Sequence, residues 1–369
     1  MGFDKKIRVG ISQGDINGIG YEVILKTLSD NRILELCTPV IYGSSKVAIY
    51  HRKALELPNI PFNSIKSADK AVEDANNMVE IMEENPKVEL GVKSEYAGKS
   101  ALTSLQRATQ DLKDGLLDVL VTAPINKHAM QSEEFTFPGH TEYLESTIGD
   151  GAKSLMILFN ERLRVALVTT HTPIAKLSVE ITEEQILEKL AIFDDSLKRD
   201  FGIVKPKIAV LSLNPHAGED GLLGDEESKV ITPAINKAYS GRKICCFGPF
   251  AADGFFGSGQ YKNFDGVLAM YHDQGLAPFK TIAMESGVNF TAGLPFVRTS
   301  PDHGTGFDIA GKGEALEDSF REAIYAAIDI FRNRKTYIRM NKYPLRKQYF
   351  DKGSDNVVLD LTKIEDSEN

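Results

Sequence analysis

Three histidines stand where an apolar, strand-like run gives way to a loop marked by proline or glycine. They are His171 in VTTHTP (168–173), His216 in LNPHAG (213–218) and His272 in MYHDQG (270–275). In open α/β sheets, ligands gather beyond the carboxyl ends of strands, so residues distant in sequence can converge there. Three neutral imidazoles suit a divalent ion of the zinc, cobalt or nickel kind and leave a coordination position for a substrate. The pattern predicts a metal site, although each histidine alone could simply donate to a carbonyl group in its loop.

A second set of side chains has the chemistry to bind an anion. His140 and Thr141 in FPGHTE (137–142) stand at the start of a predicted helix, whose free N–H groups and dipole favour negative charge. Lys280, Asn289 and Arg298 supply donors suited to a phosphate or a carboxylate. Taken singly, Thr141 could be an ordinary N-cap and each cation a surface residue.

A glycine-rich string, SPDHGTGFDIAGKG (300–313), places Asp302 and His303 between two turns of small residues. Its glycines permit close approach of a nucleotide to the backbone, but a glycine-rich loop alone is weak evidence. The first predicted strand is followed by GDINGIG (14–20), whose glycine spacing differs from the dinucleotide-binding fingerprint.

The bulk composition narrows the classes of protein. The 369 residues favour two domains that share a cleft. A net charge of −9 and a pI near 5.4 argue against a nucleic-acid binder. The longest apolar runs are shorter than the ~20 residues of a membrane helix, and the first residues predict no secretory signal. Three cysteines, Cys37, Cys245 and Cys246, lie in apolar stretches and predict a reduced, cytoplasmic protein.

Alternating strand and helix patterns predict an α/β fold with a mainly parallel sheet. A helix should begin at Thr182, because Gln185 three residues later completes a capping signature. We expect an antiparallel hairpin over 155–170, a surface helix around 71–84, and His51 and His128 on helix surfaces. The last clear helix is predicted over 317–333. The remaining elements follow the pattern in order: strands over 7–12, 36–43, 116–124, 207–213, 244–247 and 264–270, with helices over 21–29, after Ser44 or Ser45, near 100–113 and over 182–199.

Eight segments, in order along the chain, resemble the 4-hydroxythreonine-4-phosphate dehydrogenase family. They are GDINGIGYE, TAPINK, FPGHTE, VTTHTP, LNPHAGEDG, GPFAADGFF, YHDQG and SPDHGTGFDIAGKG. The resemblance runs from about Arg8 to Phe331 and departs at Ile16 and Tyr21, where the family usually has proline.

The resemblance implies a fold like that of isocitrate and isopropylmalate dehydrogenases: two α/β/α domains with mainly parallel sheets and an active-site cleft between them. Domain 1 would comprise 1–130 plus 300–335 and carry the cofactor loop at 300–313. Domain 2 (131–299) would hold the metal ligands and the dimer contacts. Residues 336–369, where the chain turns basic and then acidic, are predicted from this charge pattern to form a C-terminal extension, and here the chain departs from the family.

The resemblance also implies roles for residues. It implies one divalent ion per site, Zn, Co or Mg, at a homodimer interface, with ligands from both subunits. The metal ligands would be His171, His216 and His272; the substrate-binding residues His140, Thr141, Lys280, Asn289 and Arg298; the catalytic candidates Asp253, Asp273 and Lys280; and the residues for NAD or NADP Asp302, His303, Gly304, Thr305, Asp308 and Ile309.

The implied activity is oxidation of 4-hydroxythreonine 4-phosphate to a β-keto acid, which decarboxylates to 3-amino-2-oxopropyl phosphate in pyridoxal phosphate biosynthesis. Erythronate or threonate 4-phosphate is an alternative substrate that the same motifs would serve. Two other classes remain: a metal-dependent hydrolase, in which three histidines would activate water, and a phosphate-binding protein without catalysis.

Overall fold

The computed structural model describes residues 5–82, 86–131, 135–283 and 285–343. Within them, twelve strands join one sheet. In chain order the strands are β1 Ile7–Ser12, β2 Cys37–Gly43, β3 Phe62–Ile65, β4 Asn76–Glu80, β5 Val119–Thr122, β6 Leu155–Phe159, β7 Arg164–Leu167, β8 Ile208–Leu211, β9 Cys246–Phe250, β10 Gly266–Ala269, β11 Val288–Ala292 and β12 Arg298–Pro301.

The order across the sheet is β3-β4-β2-β1-β5-β12-β11-β6-β7-β10-β8-β9. In the described part of the chain, β11 is antiparallel to β12 and β6, β6 is antiparallel to β7, and the other neighbours are parallel. The six strands at one side therefore run opposite to β7, β10, β8 and β9 at the other. The predicted α/β fold with a mainly parallel sheet is confirmed, and so is the hairpin predicted over 155–170.

Helices flank the sheet. Their bounds are α1 Gly20–Leu28, α2 Ile33–Leu36, α3 Ser45–Ala54, α4 Glu95–Lys113, α5 Lys127–Met130, α6 His140–Ile148, α7 Leu177–Glu180, α8 Glu183–Arg199, α9 Thr232–Arg242, α10 Ala252–Gly257, α11 His272–Ala283 and α12 Asp318–Asn341. The predicted start of α8 is confirmed, since Thr182 Oγ1 accepts a hydrogen bond from the N–H of Gln185 at 3.3 Å. No helix in the described ranges is long and apolar enough to cross a membrane.

The two faces of the sheet are covered differently. One face packs against a single hydrophobic cluster that includes α1, α8, α9 and α12 and spans both halves of the sheet. The other face carries two separate clusters, one under α4 and α6 and one under α10 and α11. Between these two clusters, the face of β12, β11 and β6 forms the floor of a cleft. Side chains that alternate into this gap reach the cleft, because successive residues of a strand point to opposite faces.

The strands of the two predicted domains lie on two sides of the sheet, except that the predicted boundary at residue 300 falls within β12. Strands β1–β5 and β12 form one half, and β6–β11 form the other. The halves meet where β11 pairs with β12. Both belong to one continuous sheet, so the independence of the two domains stays a prediction.

Three local predictions are wrong. Instead of a surface helix, residues 71–82 contain β4, and residues 83–84 of the predicted helix lie outside the described ranges. In β4 the buried Asn77 donates to the carbonyls of Pro39 and Val72, which satisfies its polar side chain inside the fold. His51 is buried rather than on a helix surface. The last helix does not end near 333 but continues to Asn341, into the predicted 336–369 extension, of which residues 344–369 lie outside the described ranges.

Candidate active site

A cleft of about 690 Å³ lies over the gap between the two hydrophobic clusters. The end of β5, the start of α6, the faces of β6, β11 and β12, the end of β7 and α11 all contribute to its walls. Ten of the predicted site residues line it: His140, Thr141, His171, His272, Lys280, Asn289, Arg298, Asp302, His303 and Gly304. The fold thus brings residues from 140 to 304 into one cavity.

Arg298 is the most deeply buried charge in this cleft, with 4% of its surface exposed. Its Nε and Nη2 donate to Thr122 Oγ1 at 3.1 and 2.6 Å, and its Nη1 donates to Thr291 Oγ1 at 3.2 Å. Burial lowers the pKa of Arg298 to about 9, and the charge of Glu142 opposes this only in part. No carboxylate of the described residues forms a salt bridge with it. A buried guanidinium held by neutral hydroxyls is arranged to receive an anion.

His140 and Asn289 add unused hydrogen-bonding atoms beside Arg298. The Nε2 of His140 and the Oδ1 of Asn289 are buried and lack a partner within the described structure. Burial lowers the pKa of His140 well below its ordinary value, and the charges of Arg298 and Lys127 lower it further. His140 begins α6, where Thr141 and the free N–H groups of the first turn also meet the cleft. Buried polar groups normally have partners, so these atoms indicate a ligand position. We call His140, Thr141, Asn289 and Arg298 the anion site.

His171 and His272 face each other at another part of the cleft, with ring centroids 6.2 Å apart. The Nδ1 of His272 donates to Asp273 at 2.8 Å, which orients the ring and leaves Nε2 free. Burial lowers the pKa of His171, an effect that Lys127 adds to and Glu142 opposes. The lowered pKa of His171 favours the neutral imidazole that binds a metal, and the ring of His272 lies close enough to be considered as a second ligand.

His216 lies outside the cleft lining and is exposed to solvent. It belongs to a turn, Pro215–Gly221, in which five consecutive residues from His216 to Asp220 have positive φ. For residues other than glycine this left-handed conformation costs roughly 1–2 kcal/mol each. Glu227 anchors the base of the turn by accepting hydrogen bonds from the N–H groups of Leu213 and Asn214, both at 2.8 Å.

The structure therefore brings His171 and His272 together but leaves His216 apart from them. Strands β7, β10 and β8 are neighbours and parallel, so their carboxyl ends bring all three histidines to one edge of the sheet. Yet no group of three potential ligands within the described ranges of one chain is close enough to hold a metal. Asp253 is likewise exposed on α10 and outside the cleft lining.

The predicted cofactor loop closes one end of the cleft. Lys280 Nζ donates to the carbonyl of Asp302 at 3.2 Å and lies 3.5 Å from its carboxylate. Burial raises the pKa of Asp302, although Lys280 opposes this shift. The buried Nε2 of His303 has no partner in the described part of the chain. Thr305, Asp308 and Ile309 follow outside the cleft lining, and the carbonyl of Thr305 accepts a hydrogen bond from the N–H of Ile19.

Sequence reasoning missed Thr122, Thr291 and Lys127. Thr122 and Thr291 hold the Arg298 guanidinium, and the Lys127 charge acts on two cleft histidines. Thr122 and Lys127 belong to TAPINK, the motif that ends β5, so position after a strand was an available signal for them. Thr291 had no such signal, because β11 was not predicted as a strand.

Known proteins share this chain's sequence and fold. Residues 35–327 match the family described as "Pyridoxal phosphate biosynthetic protein PdxA". A 4-hydroxythreonine-4-phosphate dehydrogenase of Bacteroides thetaiotaomicron is 59% identical over 363 residues, which are 98% of this chain and 99% of that protein. A protein of Oceanobacillus iheyensis, provisionally named D-threonate 4-phosphate dehydrogenase, is 38% identical and covers 88% of this chain and 98% of its own length.

A solved structure agrees with these sequence matches. The crystal structure of 4-hydroxythreonine-4-phosphate dehydrogenase from Klebsiella pneumoniae is 33% identical and superimposes with a TM-score of 0.76, covering 89% of this chain and all of that one (100%). The cleft, its motifs and these matches lead to one conclusion: this chain belongs to the PdxA family of pyridoxal phosphate biosynthetic proteins.

Proposed function

We propose that this protein oxidises 4-hydroxythreonine 4-phosphate with NAD or NADP, in pyridoxal phosphate biosynthesis. The product is a β-keto acid, which loses CO₂ to give 3-amino-2-oxopropyl phosphate. The observation that carries the proposal is the buried Arg298, which has no carboxylate partner among the described residues, next to the unpartnered Nε2 of His140. The unpartnered Oδ1 of Asn289 is an acceptor and would receive a hydrogen bond from a donor group of the substrate. This arrangement suits an anionic substrate, and the names of the relatives supply the chemistry.

The histidines fit a divalent metal such as Zn or Co, whereas Mg, the third ion that the resemblance implies, prefers oxygen ligands. His171 and His272 would hold it from one chain, and His216 would come from the second chain of a homodimer. Two facts support this division: the exposed position of His216 and the exposed apolar residues beside the ligands, Ile174 and Leu222. When bound, the metal would polarise the substrate hydroxyl while the nicotinamide accepted the hydride.

The remaining steps belong to side chains of this protein. The anion site binds the substrate's phosphate or carboxylate and fixes its distance from His171 and His272. The nicotinamide would take up the hydride, and the hydroxyl proton needs an acceptor. Among the candidate acceptors, Lys280 lines the cleft, whereas Asp273 and Asp253 lie outside its lining. After CO₂ leaves, the same kind of group returns a proton to carbon. Segment 302–309, with Asp302, His303 and Gly304 at the cleft, would hold the cofactor.

Oxidation of threonate or erythronate 4-phosphate is the second candidate. The name of the Oceanobacillus iheyensis relative favours it, because the identity of 38% extends over nearly the whole of that protein. The anion site would bind either phosphate ester equally well. The free, buried or half-buried cysteines agree with a cytoplasmic location, which stays a prediction.

The deciding experiment measures the absorbance of reduced nicotinamide with each of the three phosphate esters, before and after chelation of metal. We expect metal-dependent reduction that is fastest with 4-hydroxythreonine 4-phosphate, and formation of CO₂ in equal amount. Faster turnover of threonate 4-phosphate would keep the reaction class and overturn the assigned substrate. Product formation without nicotinamide would favour a hydrolase instead.

A further inference from the structure

Loop 14–20 supports the 302–309 segment from below. The N–H of Ile19 donates to the carbonyl of Thr305 at 2.9 Å. Gly18 makes this approach possible, because a Cβ atom there would lie 2.6 Å from the same oxygen. Ile19 also touches Gly306, where an added Cβ would lie 3.0 Å from its side chain. The position of the segment therefore depends on the position of the loop.

Helix α1, which follows loop 14–20, fixes the far end of the same region. Lys26 Nζ donates to the carbonyls of Gly313 and Ala315 at 2.9 and 2.6 Å. Glu22 accepts from the N–H of Ala315 at 3.0 Å. Residues 302–315 thus pack on loop 14–20 and α1.

His51 contacts both the beginning of loop 14–20 and the beginning of α1. Its Nε2 lies 2.8 Å from the carbonyl oxygen of Ile16, and its ring stacks on Tyr21 at a centroid distance of 5.2 Å. Both side chains are 1% exposed. Burial lowers the pKa of His51 to about 4, so the ring is neutral near pH 7 and must carry its proton on Nε2 to donate to Ile16.

Tyr21 is itself fixed, so His51 packs against a rigid surface. The Tyr21 hydroxyl donates to Gln13 Oε1 at 2.7 Å and accepts from the N–H of Ser44 at 2.9 Å. Gln13 in turn donates to the carbonyl of Ser100 at 3.2 Å. These contacts tie both ends of loop 14–20 to β1, β2 and α4.

We propose that His51, stacked on Tyr21, is a positioning residue for the nicotinamide site, acting through the Ile16 carbonyl, loop 14–20 and the Thr305 carbonyl. His51 itself touches neither substrate nor cofactor in this role. The inference rests on the proposed function, since it takes the 302–309 segment as the cofactor site. It assigns a task to a buried histidine that lies outside the cleft lining.

The test compares variants of the full-length protein. His51→Phe keeps an aromatic ring against Tyr21 but leaves the Ile16 carbonyl unpaired, whereas His51→Gln retains an N–H donor. We expect the Phe variant to raise the dissociation constant for NADH or NADPH about tenfold, as a lost buried hydrogen bond allows, and the Gln variant to stay near wild type. The nucleotide's own fluorescence reports binding, and the KM for the phosphorylated substrate should stay unchanged.

Limited trypsinolysis gives a second readout. Lys312 is exposed near the end of residues 302–315. Cleavage of the chain after Lys312 should be faster in His51→Phe than in wild type or His51→Gln. Phe193→Leu serves as the control for lost stability, because Phe193 is fully buried on α8 in the other half of the molecule.

The proposal would be overturned if His51→Phe bound the nucleotide as tightly as Phe193→Leu and was cleaved at Lys312 at the same rate. If His51→Phe does not fold, Gly18→Ala decides, because its methyl group meets the Thr305 carbonyl directly. Unchanged nucleotide binding in that variant also overturns the proposal. If the wild-type protein binds neither nucleotide, the proposed function is overturned. If the wild-type protein binds a nucleotide and His51→Phe binds it equally well, only this inference is overturned.

Discussion

The anion site and the three candidate metal ligands are built in opposite ways. Arg298 and Asn289 stand on adjacent central strands, and the half-buried His140 begins a helix against the same floor. The metal candidates follow strands in loops or at a helix start, and His216 sits on an exposed left-handed turn away from the other two. The proposed anion site lies within one chain. The proposed metal site has two of its candidate ligands in one cleft and would take a third from elsewhere.

The fold has to meet different requirements at a buried cation and at a ligand that two chains would share. A buried cation needs rigid neighbours to limit its desolvation, and central strands provide them. A ligand shared between chains must instead project from the surface, and the strain at His216 is typical of residues held for function. Four experiments probe this contrast.

The largest effect is expected from removing His216. His216→Ala and His272→Ala should each lower turnover by more than about 100-fold, since even loss of an outer partner of a metal ligand typically costs 10–100-fold. If the metal site is shared, mixed dimers of the two variants contain one intact site. Unfolding and refolding an equal mixture should then restore about a quarter of wild-type activity, as random pairing of a symmetric dimer predicts. Recovery would be absent if one chain supplied all three ligands.

Arg298→Met should reduce kcat/KM about 100-fold, because a charged hydrogen bond to the substrate anion is lost. Its free energy of unfolding should hold or rise by about 1 kcal/mol, since an uncompensated buried charge is removed. Enzyme kinetics and urea denaturation measure the two effects. Thr299→Val is the control on the same strand, because Thr299 faces the opposite side and donates to the carbonyl of Ala323. A clearly less stable Arg298→Met would mean that Arg298 is mainly structural.

Glu227→Gln should affect the metal site alone. The amide cannot replace both carboxylate oxygens that meet Asn214, so the turn carrying His216 loosens. We expect metal affinity to fall about tenfold, the range for partners of a metal ligand. Calorimetric titration with Zn²⁺ measures it, and inhibition by inorganic phosphate should stay constant. Asp225→Asn, which alters an exposed ion pair with Lys229, provides the control. A parallel loss of phosphate inhibition would show that the two sites are not separate.

The smallest effect concerns protonation of His140. Burial lowers the pKa of this imidazole below 6.5, with Arg298 as the next cause, so Arg298→Met should raise the pKa without restoring it fully. The sign follows because a nearby positive charge disfavours a second one. The proton resonances of the ring, followed by NMR from pH 8 downward, give the value in each protein. An unchanged pKa would place the two side chains too far apart to form one anion site.

Much of the fold could be predicted because local patterns coincide with the tertiary contacts. The apolar run of β1 is buried between parallel neighbours and was predicted residue for residue, and Thr182 begins α8 as its sequence indicates. The strand-end positions of the histidines were also sufficient to assign them to one edge of the sheet.

The central strands β11 and β12 were missed for a physical reason. Asn289 and Arg298 point into the cleft while Phe290 and Thr299 pack on the other face, so polar and apolar residues alternate over only a few positions. The Gly-Leu-Pro stretch between these strands is typical of a loop. This short alternation of polar and apolar residues made the strands difficult to predict, and it also places polar side chains on the floor of the cleft.

By itself, the sequence determined which groups are available for chemistry and, through the order of eight motifs, the family that shares them. Only the tertiary structure decided that Arg298 is buried with no carboxylate partner among the residues it describes, and that His216 stands apart from His171 and His272. It also decided that His51 lies inside the fold, next to the loop that contacts the 302–309 segment. Burial and pairing depend on segments more than a hundred residues apart, such as Thr122 and Arg298. Local periodicity carries no information about such contacts, because they form only when the two halves of the sheet come together.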